Sequence, residues 1–242
     1  MLTEQPVRRL EHLTFKGNLK ESRYGWLRLT PAYSVHLVSE IIKKYPQDDL
    51  TVLDPFCGTG TTALVCAERG IVCETTDINP FLIWLARAKT RSYDEKGLDS
   101  FIHHAKGISR SINDLNTRAS WLPNLHQIEK WWEPGVLEAL GRAASRIRIL
   151  TETANDAVTD LLKMAFCQTL ISQANVSFGH QSMSFKRSNG ELTFDFSDSP
   201  EAIMAEYWRR ACLSIVRAAA SPILRKPRIA LCDARRLTEK LE

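Results

Sequence analysis

Apolar residues along this chain change period several times, and each change marks an element. Val52 and Leu53 end a short apolar run that stops at Asp54. Two glycines, Gly58 and Gly60, come next, and an apolar run resumes over 63–67. A strand, a tight loop and a helix in this order make the first half of a βαβ unit. Gly70 is a natural stop for that helix. Residues 71–76 predict a second strand with Asp77 at its tip. Phe81, Leu82, Trp84 and Leu85 then predict a helix starting near Pro80. Ahead of the first strand, Thr30 and Pro31 read as a helix cap and first turn. Val35, Leu37, Val38, Ile41 and Ile42 repeat at helical spacing from there to Tyr45-Pro46. Residues 1–22 are polar and irregular.

Past residue 89 the pattern leaves a minimal βαβ unit, which needs only one helix between its second and third strands. Residues 90–226 intervene, and their periodicity predicts helices near 101–115, 135–150, 154–174 and 200–219. Residues 227–233 predict a third strand ending in Asp233, and a further helix begins at Ala234. The expected fold class is α/β: a partial Rossmann-like sheet of about three parallel strands with a large helical insertion. The expected domains are 1–89, a helical insertion at 90–226, and 227–242 returning to the first domain.

Composition narrows this picture only slightly. With 242 residues, 44% hydrophobic and 25% charged, the chain is an ordinary globular one, long enough for a large domain plus an insertion. A net charge of +4 is a weak argument for nucleic acid, so local basic clusters must carry that case. No apolar run is long enough to span a bilayer, and the polar start does not read as a signal peptide. Six cysteines are scattered, with no C-x-x-C pair, which argues against a zinc site; no metal is expected. They read as small, reduced, apolar residues of a cytoplasmic protein.

The glycine loop carries the candidate chemistry. Gly58, Gly60 and Ala63 fit the dinucleotide pattern G-x-G-x-x-A, and Asp77 stands about 20 residues on, where a ribose-binding acid belongs. Asp54 opposes that reading, because a carboxylate just before the glycines would repel a pyrophosphate. It suits a ligand that is cationic there, such as the ammonium of S-adenosylmethionine (SAM). A phosphate-gripping P-loop fails, since no Gly-Lys-Ser/Thr follows. A purely structural strand-to-helix turn is the remaining reading.

Asp54-Pro55-Phe56-Cys57-Gly58-Thr59-Gly60-Thr61-Thr62 resembles motif I of the SAM-dependent methyltransferases that modify exocyclic amino groups of DNA bases, the adenine-N6 and cytosine-N4 enzymes. Thr76-Asp77-Ile78-Asn79-Pro80 is similar to their motif II, and Cys232-Asp233-Ala234-Arg235 to their motif III. The resemblance implies that motif I cradles the methionine part of SAM, that Asp77 and Ile78 hold the ribose side, and that Asp233 and Ala234 meet the adenine. The segment 28–33, including Thr30 and Pro31, occupies the place of the family's motif X, which closes over the methionine end. A helix that only packs on the sheet explains the same residues.

The polar stretch 172–187 resembles a segment found in some members of that family. There Lys186 and Arg187 would contact DNA phosphate, with Asn175, His180 or Gln181 near a base or the backbone. A solvated interhelical loop is the competing explanation. Trp131 and Trp132 read as core rather than as a base-stacking platform.

One family element is missing. The catalytic motif (Asp/Asn/Ser)-Pro-Pro-(Tyr/Phe) holds the flipped base while its amino nitrogen attacks the methyl. No Pro-Pro pair occurs anywhere in the 242 residues. In the family sheet the first strand is central, whereas here it would be left as an exposed apolar edge. The expectation is a second subunit that supplies the remaining strands and the Pro-Pro-aromatic motif, with double-stranded DNA as substrate. This chain would then be the inactive-alone, SAM-binding part of a restriction-modification or related defence enzyme. A truncated chain is the rival explanation for the missing motif. A non-catalytic SAM- or DNA-binding regulatory subunit and an RNA methyltransferase are the alternative functions.

Overall fold

The computed structural model describes residues 17–18, 22–27, 32–46, 49–177, 184–185 and 199–239. In chain order the elements are a 3-10 turn at Arg23–Gly25, α1 (Val35–Ile42), β1 (Thr51–Asp54), α2 (Thr61–Arg69), β2 (Val72–Asp77), α3 (Pro80–Lys89), α4 (Glu95–Asn113), α5 (Ile128–Trp131), α6 (Pro134–Thr153), α7 (Asp156–Ser172), β3 (Val176–Ser177), β4 (Ser184–Phe185), α8 (Pro200–Ala219), β5 (Arg228–Leu231) and a 3-10 segment at Ala234–Glu239. The chain divides into two compact units, Met1–Ser92 with Ser221–Glu242, and Tyr93–Ala220.

In the first unit, β1, β2 and β5 form a parallel three-stranded sheet in that spatial order. The architecture is α/β, and β2 is the central strand. Register places Leu53 opposite Glu74 and Glu74 opposite Arg228, so one row of side chains crosses all three strands. Side chains alternate across a strand. Cys73, Thr75 and Ile229 are buried, whereas the opposite-parity row runs from Leu53, 51% exposed, through half-buried Glu74 to exposed Arg228. The helices meet the buried side. Val35, Val38 and Ile42 of α1 and Leu64, Val65 and Cys66 of α2 form one cluster with Cys73. Ile83 and Ala86 of α3 pack with Cys57 and Ile229. Each fully buried branched aliphatic of this kind contributes about 1.5–3 kcal/mol.

The second unit is helical. α4, α6, α7 and α8 pack on one another. Trp208 of α8 is buried and its indole N–H donates to the Ala105 carbonyl of α4 at 3.0 Å. Arg142 of α6 is also buried, and its guanidinium donates to the Ser111 and Ile112 carbonyls. These are the carbonyls that a helix C-terminus leaves without intrahelical partners, and a cation suits that end. Glu201 lies 3.7 Å from the same guanidinium. Trp132 is buried and donates to Leu170 O, as a core residue does. Trp131 is half-buried and stands edge-on to Phe185, with ring centroids 5.5 Å apart.

Several boundaries differ from the sequence expectation. α4 starts at Glu95 rather than near 101, because the Asp94 side chain caps it by accepting from Gly97 N at 2.8 Å. α5 was not expected; four residues are too few for a periodic signal. The helix expected from Ala234 is a 3-10 segment with Arg236 at φ −121°, outside helical space. Within the polar stretch 172–187, Val176 pairs with Phe185 and Ser177 with Ser184 in a small antiparallel ladder. No helix among the described residues is long and apolar enough to cross a membrane.

Candidate cofactor site

The glycine loop leaves β1 at Asp54 and is pinned to β2 by backbone bonds. Cys57 N donates to Thr76 O at 2.7 Å, and the Thr76 hydroxyl donates to Pro55 O at 3.1 Å. Gly60 N closes a tight turn on Cys57 O at 2.9 Å. Gly58 and Gly60 have φ of 51° and 77°, values at which other residues are strained by about 1–2 kcal/mol. Gly60 is also a close approach: a Cβ there would fall 2.8 Å from Ala86 Cβ of α3. Over Gly58 the space is open, since a Cβ would meet only Phe56 O at 3.8 Å. Bare backbone therefore faces outward at Gly58, directly before the N-terminus of α2.

Asp54 and Asp77 stand at the tips of adjacent strands, which run about 4.8 Å apart. Asp54 accepts from Phe56 N at 3.0 Å. Asp77 accepts from Gly58 N through Oδ2 and from Asn79 N through Oδ1, both at 2.9 Å. Each carboxylate oxygen has a second lone pair, so both groups can still accept from a ligand. The cap of α3 is Asn79, which accepts from Phe81 N; Asp77 instead ties β2 to the glycine loop. Beyond the tip of β5, Asp233 is gripped by Arg235, whose Nε lies 3.0 Å from Oδ1 and whose Nη2 reaches Oδ2. This guanidinium, with the Arg235 backbone N–H, pulls the Asp233 pKa down to about 2.

Exposed apolar residues sit among these acids. Phe56 is 68% exposed and Ile78 72%, and Phe81 and Leu231 are also exposed. Such side chains can lie against a purine ring and a thioether-like chain. Cys57 is buried, and burial pushes its thiol up to about 11, so it serves packing rather than nucleophilic chemistry. Thr61 is buried, its hydroxyl 3.3 Å from that of Thr59. Ala234 is half-buried beside Asp233. Thr62 faces a different space. With Tyr33, Leu37, Ile41, Tyr45, Leu50 and Leu53 it lines an apolar groove of about 660 Å³ along β1.

Thr30 and Pro31 lie outside the described residues, as do His180, Gln181, Lys186 and Arg187. Asn175 belongs to the helical unit; its backbone N donates to Trp131 O at 2.7 Å and its amide lies 3.5 Å from Lys130 O. Among the described residues no group of three His, Cys, Asp or Glu side chains could hold a metal ion.

Sequence reading missed Lys89. It is the last residue of α3 and is 1% exposed. The available signal was its position four residues after Leu85 and three after Ala86, both fully buried. Burial lowers its amine to about 8.

A family model described as DNA methylase matches residues 17–86, the segment that holds α1, the glycine loop and Asp77. Over this segment the chain is similar to the adenine-N6 and cytosine-N4 DNA methylases. The type II methyltransferase M.AvaI of Nostoc sp. is 32% identical over 69 residues, which is 28% of this chain and 14% of that protein. M.MjaII of Methanocaldococcus jannaschii, another type II methyltransferase, is 33% identical over 82 residues, 32% of this chain and 16% of the relative. M.MvaI of Kocuria varians, also a type II methyltransferase, is 25% identical over 131 residues, 52% of this chain and 27% of the relative. The chain thus spans between about one seventh and about one quarter of the length of these relatives. No solved structure matches it.

Proposed function

We propose that this chain is the SAM-binding subunit of a heteromeric DNA methyltransferase, acting on the N4 of cytosine or the N6 of adenine in a restriction-modification or related defence system. The residues of the glycine loop fit SAM. Asp54 offers an acceptor to the ammonium and Asp77 to the ribose hydroxyls, while Ile78 and Phe56 offer apolar faces to the ring and chain. Asp233 and Ala234 are assigned to the adenine side. When bound, SAM supplies an electrophilic methyl group. This chain's part is to hold and orient it; the residues that hold the base amino group belong to the partner, which carries the Pro-Pro-aromatic motif.

One observation carries the heteromeric reading. β1, the strand whose tip bears Asp54, is an edge strand with an apolar flank, and the groove along it ends at Thr62 beside the glycine loop. A parallel strand added there would bring its own tip next to the cofactor residues. The helical insertion and the polar stretch with Asn175, His180, Gln181, Lys186 and Arg187 are assigned to DNA, where cations meet phosphate.

The test is methyl transfer from labelled SAM to double-stranded DNA, by the full chain alone and by the chain co-purified from its source. The expected outcome is SAM binding alone, and transfer only with a stoichiometric partner containing the Pro-Pro-aromatic motif. Transfer by the chain alone would remove the need for a partner. No binding of SAM would remove the cofactor role.

A further inference from the structure

Lys89, at the end of α3, is buried, and no carboxylate among the described residues pairs with it. Its ammonium lies 3.1 Å from Thr59 O and 3.4 Å from Tyr24 O. Thr59 stands between the two positive-φ glycines, so its carbonyl orients the peptide plane joining it to Gly60. Tyr24 belongs to the 3-10 turn upstream of α1. The reverse link is present as well: the Arg23 guanidinium donates to Lys89 O at 2.9 Å, and reaches Arg91 O and Ser221 O.

Burying an ammonium without an anion is unfavourable, and a methionine of similar length would pack there at less cost. What methionine lacks is a donor for the loop carbonyl. Two further anchors of the loop, Cys57 N on Thr76 O and Gly58 N on Asp77, hold it from the strand side. Lys89 holds it from the helix side, at the point where Gly60 packs on Ala86.

We infer that Lys89 is a positioning residue for the cofactor: its buried ammonium fixes the Thr59–Gly60 peptide and couples the glycine loop to the Tyr24 turn. The inference rests on the reading of this loop as the SAM cradle. Preorganisation is the mechanism, since a loop held in its bound shape loses less entropy when a ligand docks.

The test uses the full chain and its Lys89→Met variant, with SAM as the probe. K89M removes the donor and the buried charge together, so its melting temperature should stay level or rise. Its SAM affinity should fall about tenfold, the size of one lost charged hydrogen bond. Amide hydrogen exchange at Gly58 and Gly60 should quicken by a similar factor, while exchange in α4 and α8 stays unchanged. Unaltered SAM affinity and unaltered loop exchange in a folded K89M would overturn the inference. Should K89M not fold, Lys89→Leu, which equally lacks a donor, is read by the same two measurements. If wild type binds no SAM, the cofactor reading fails, and loop exchange still reports on Lys89.

Discussion

The two edges of the sheet are built in opposite ways. At the β5 edge the strand follows Pro227, begins with Arg228, and borders a groove of about 540 Å³ lined by Arg87, Arg91 and Lys226. Charge, proline and short length are the means by which proteins keep an unpaired edge from recruiting another strand. The β1 strand is equally short, at four residues, but its first three residues carry neither charge nor proline. Thr51, Val52 and Leu53 lead the strand, Leu53 is 51% exposed, and the neighbouring groove is walled by Tyr33, Leu37, Ile41 and Tyr45. Under the proposed heteromeric reading, one edge is a boundary and the other a joint. Because Leu53, Glu74 and Arg228 stand in one register row, the contrast can be tested one residue at a time.

The largest effect is expected from Leu53→Lys. Exposed Leu53 contributes little to the isolated fold, and surface changes of this kind stay within about 0.5 kcal/mol. A lysine on a joint would have to be desolvated when the joint closes. Partner capture should drop tenfold or more, about 1.4 kcal/mol or above. Self-association of the isolated chain should also fall. Co-purification yield and sedimentation of L53K measure both, with thermal melting as the control. Undiminished partner capture would mean that the β1 edge is not the joint.

Arg228→Leu makes the converse change and should act more weakly. It removes one charge from the finished edge but leaves Pro227, Arg87, Arg91 and Lys226 in place. Sedimentation at rising concentration should show new self-association, smaller than the amount L53K abolishes. Strong aggregation of R228L would show that one charge had been the whole barrier. No change would assign the barrier to the remaining groove residues.

The sequence disclosed these two edges unequally, for physical reasons. A run of Val and Leu ending in Asp, before Gly58 and Gly60, announces a strand tip at a loop that needs positive φ, and the structure places it so. α8 keeps its expected bounds, because Ser199 caps it and Pro200 opens it. Helix starts set by a lone side-chain cap, such as Asp94, escape a reading of apolar period alone. Lys89 was hidden because a lysine's burial depends on what crosses above it, here the loop carbonyl and the Tyr24 turn. The grip of Arg235 on Asp233 was hidden too, since it depends on the chain turning back within a 3-10 segment.

The smallest effect belongs to Glu74, the middle of the row. Its carboxylate lies 3.4 Å from Arg228, with the two side chains 29% and 49% exposed. A pair so open to solvent is worth well under 1 kcal/mol and weakens further in salt. Glu74→Gln should therefore lower the melting temperature by no more than about 2 °C, and the difference should shrink at high ionic strength. Its consequence for the edges is more informative than its stability. Removing this carboxylate makes the row one negative charge poorer, so the β5 edge should repel a second copy slightly better. Sedimentation of E74Q that matches or falls below wild type in self-association supports the view that the positive charge of Arg228 closes this edge. Increased self-association would mean that the ordered Glu74–Arg228 pair, holding the arginine across the strands, is what closes it.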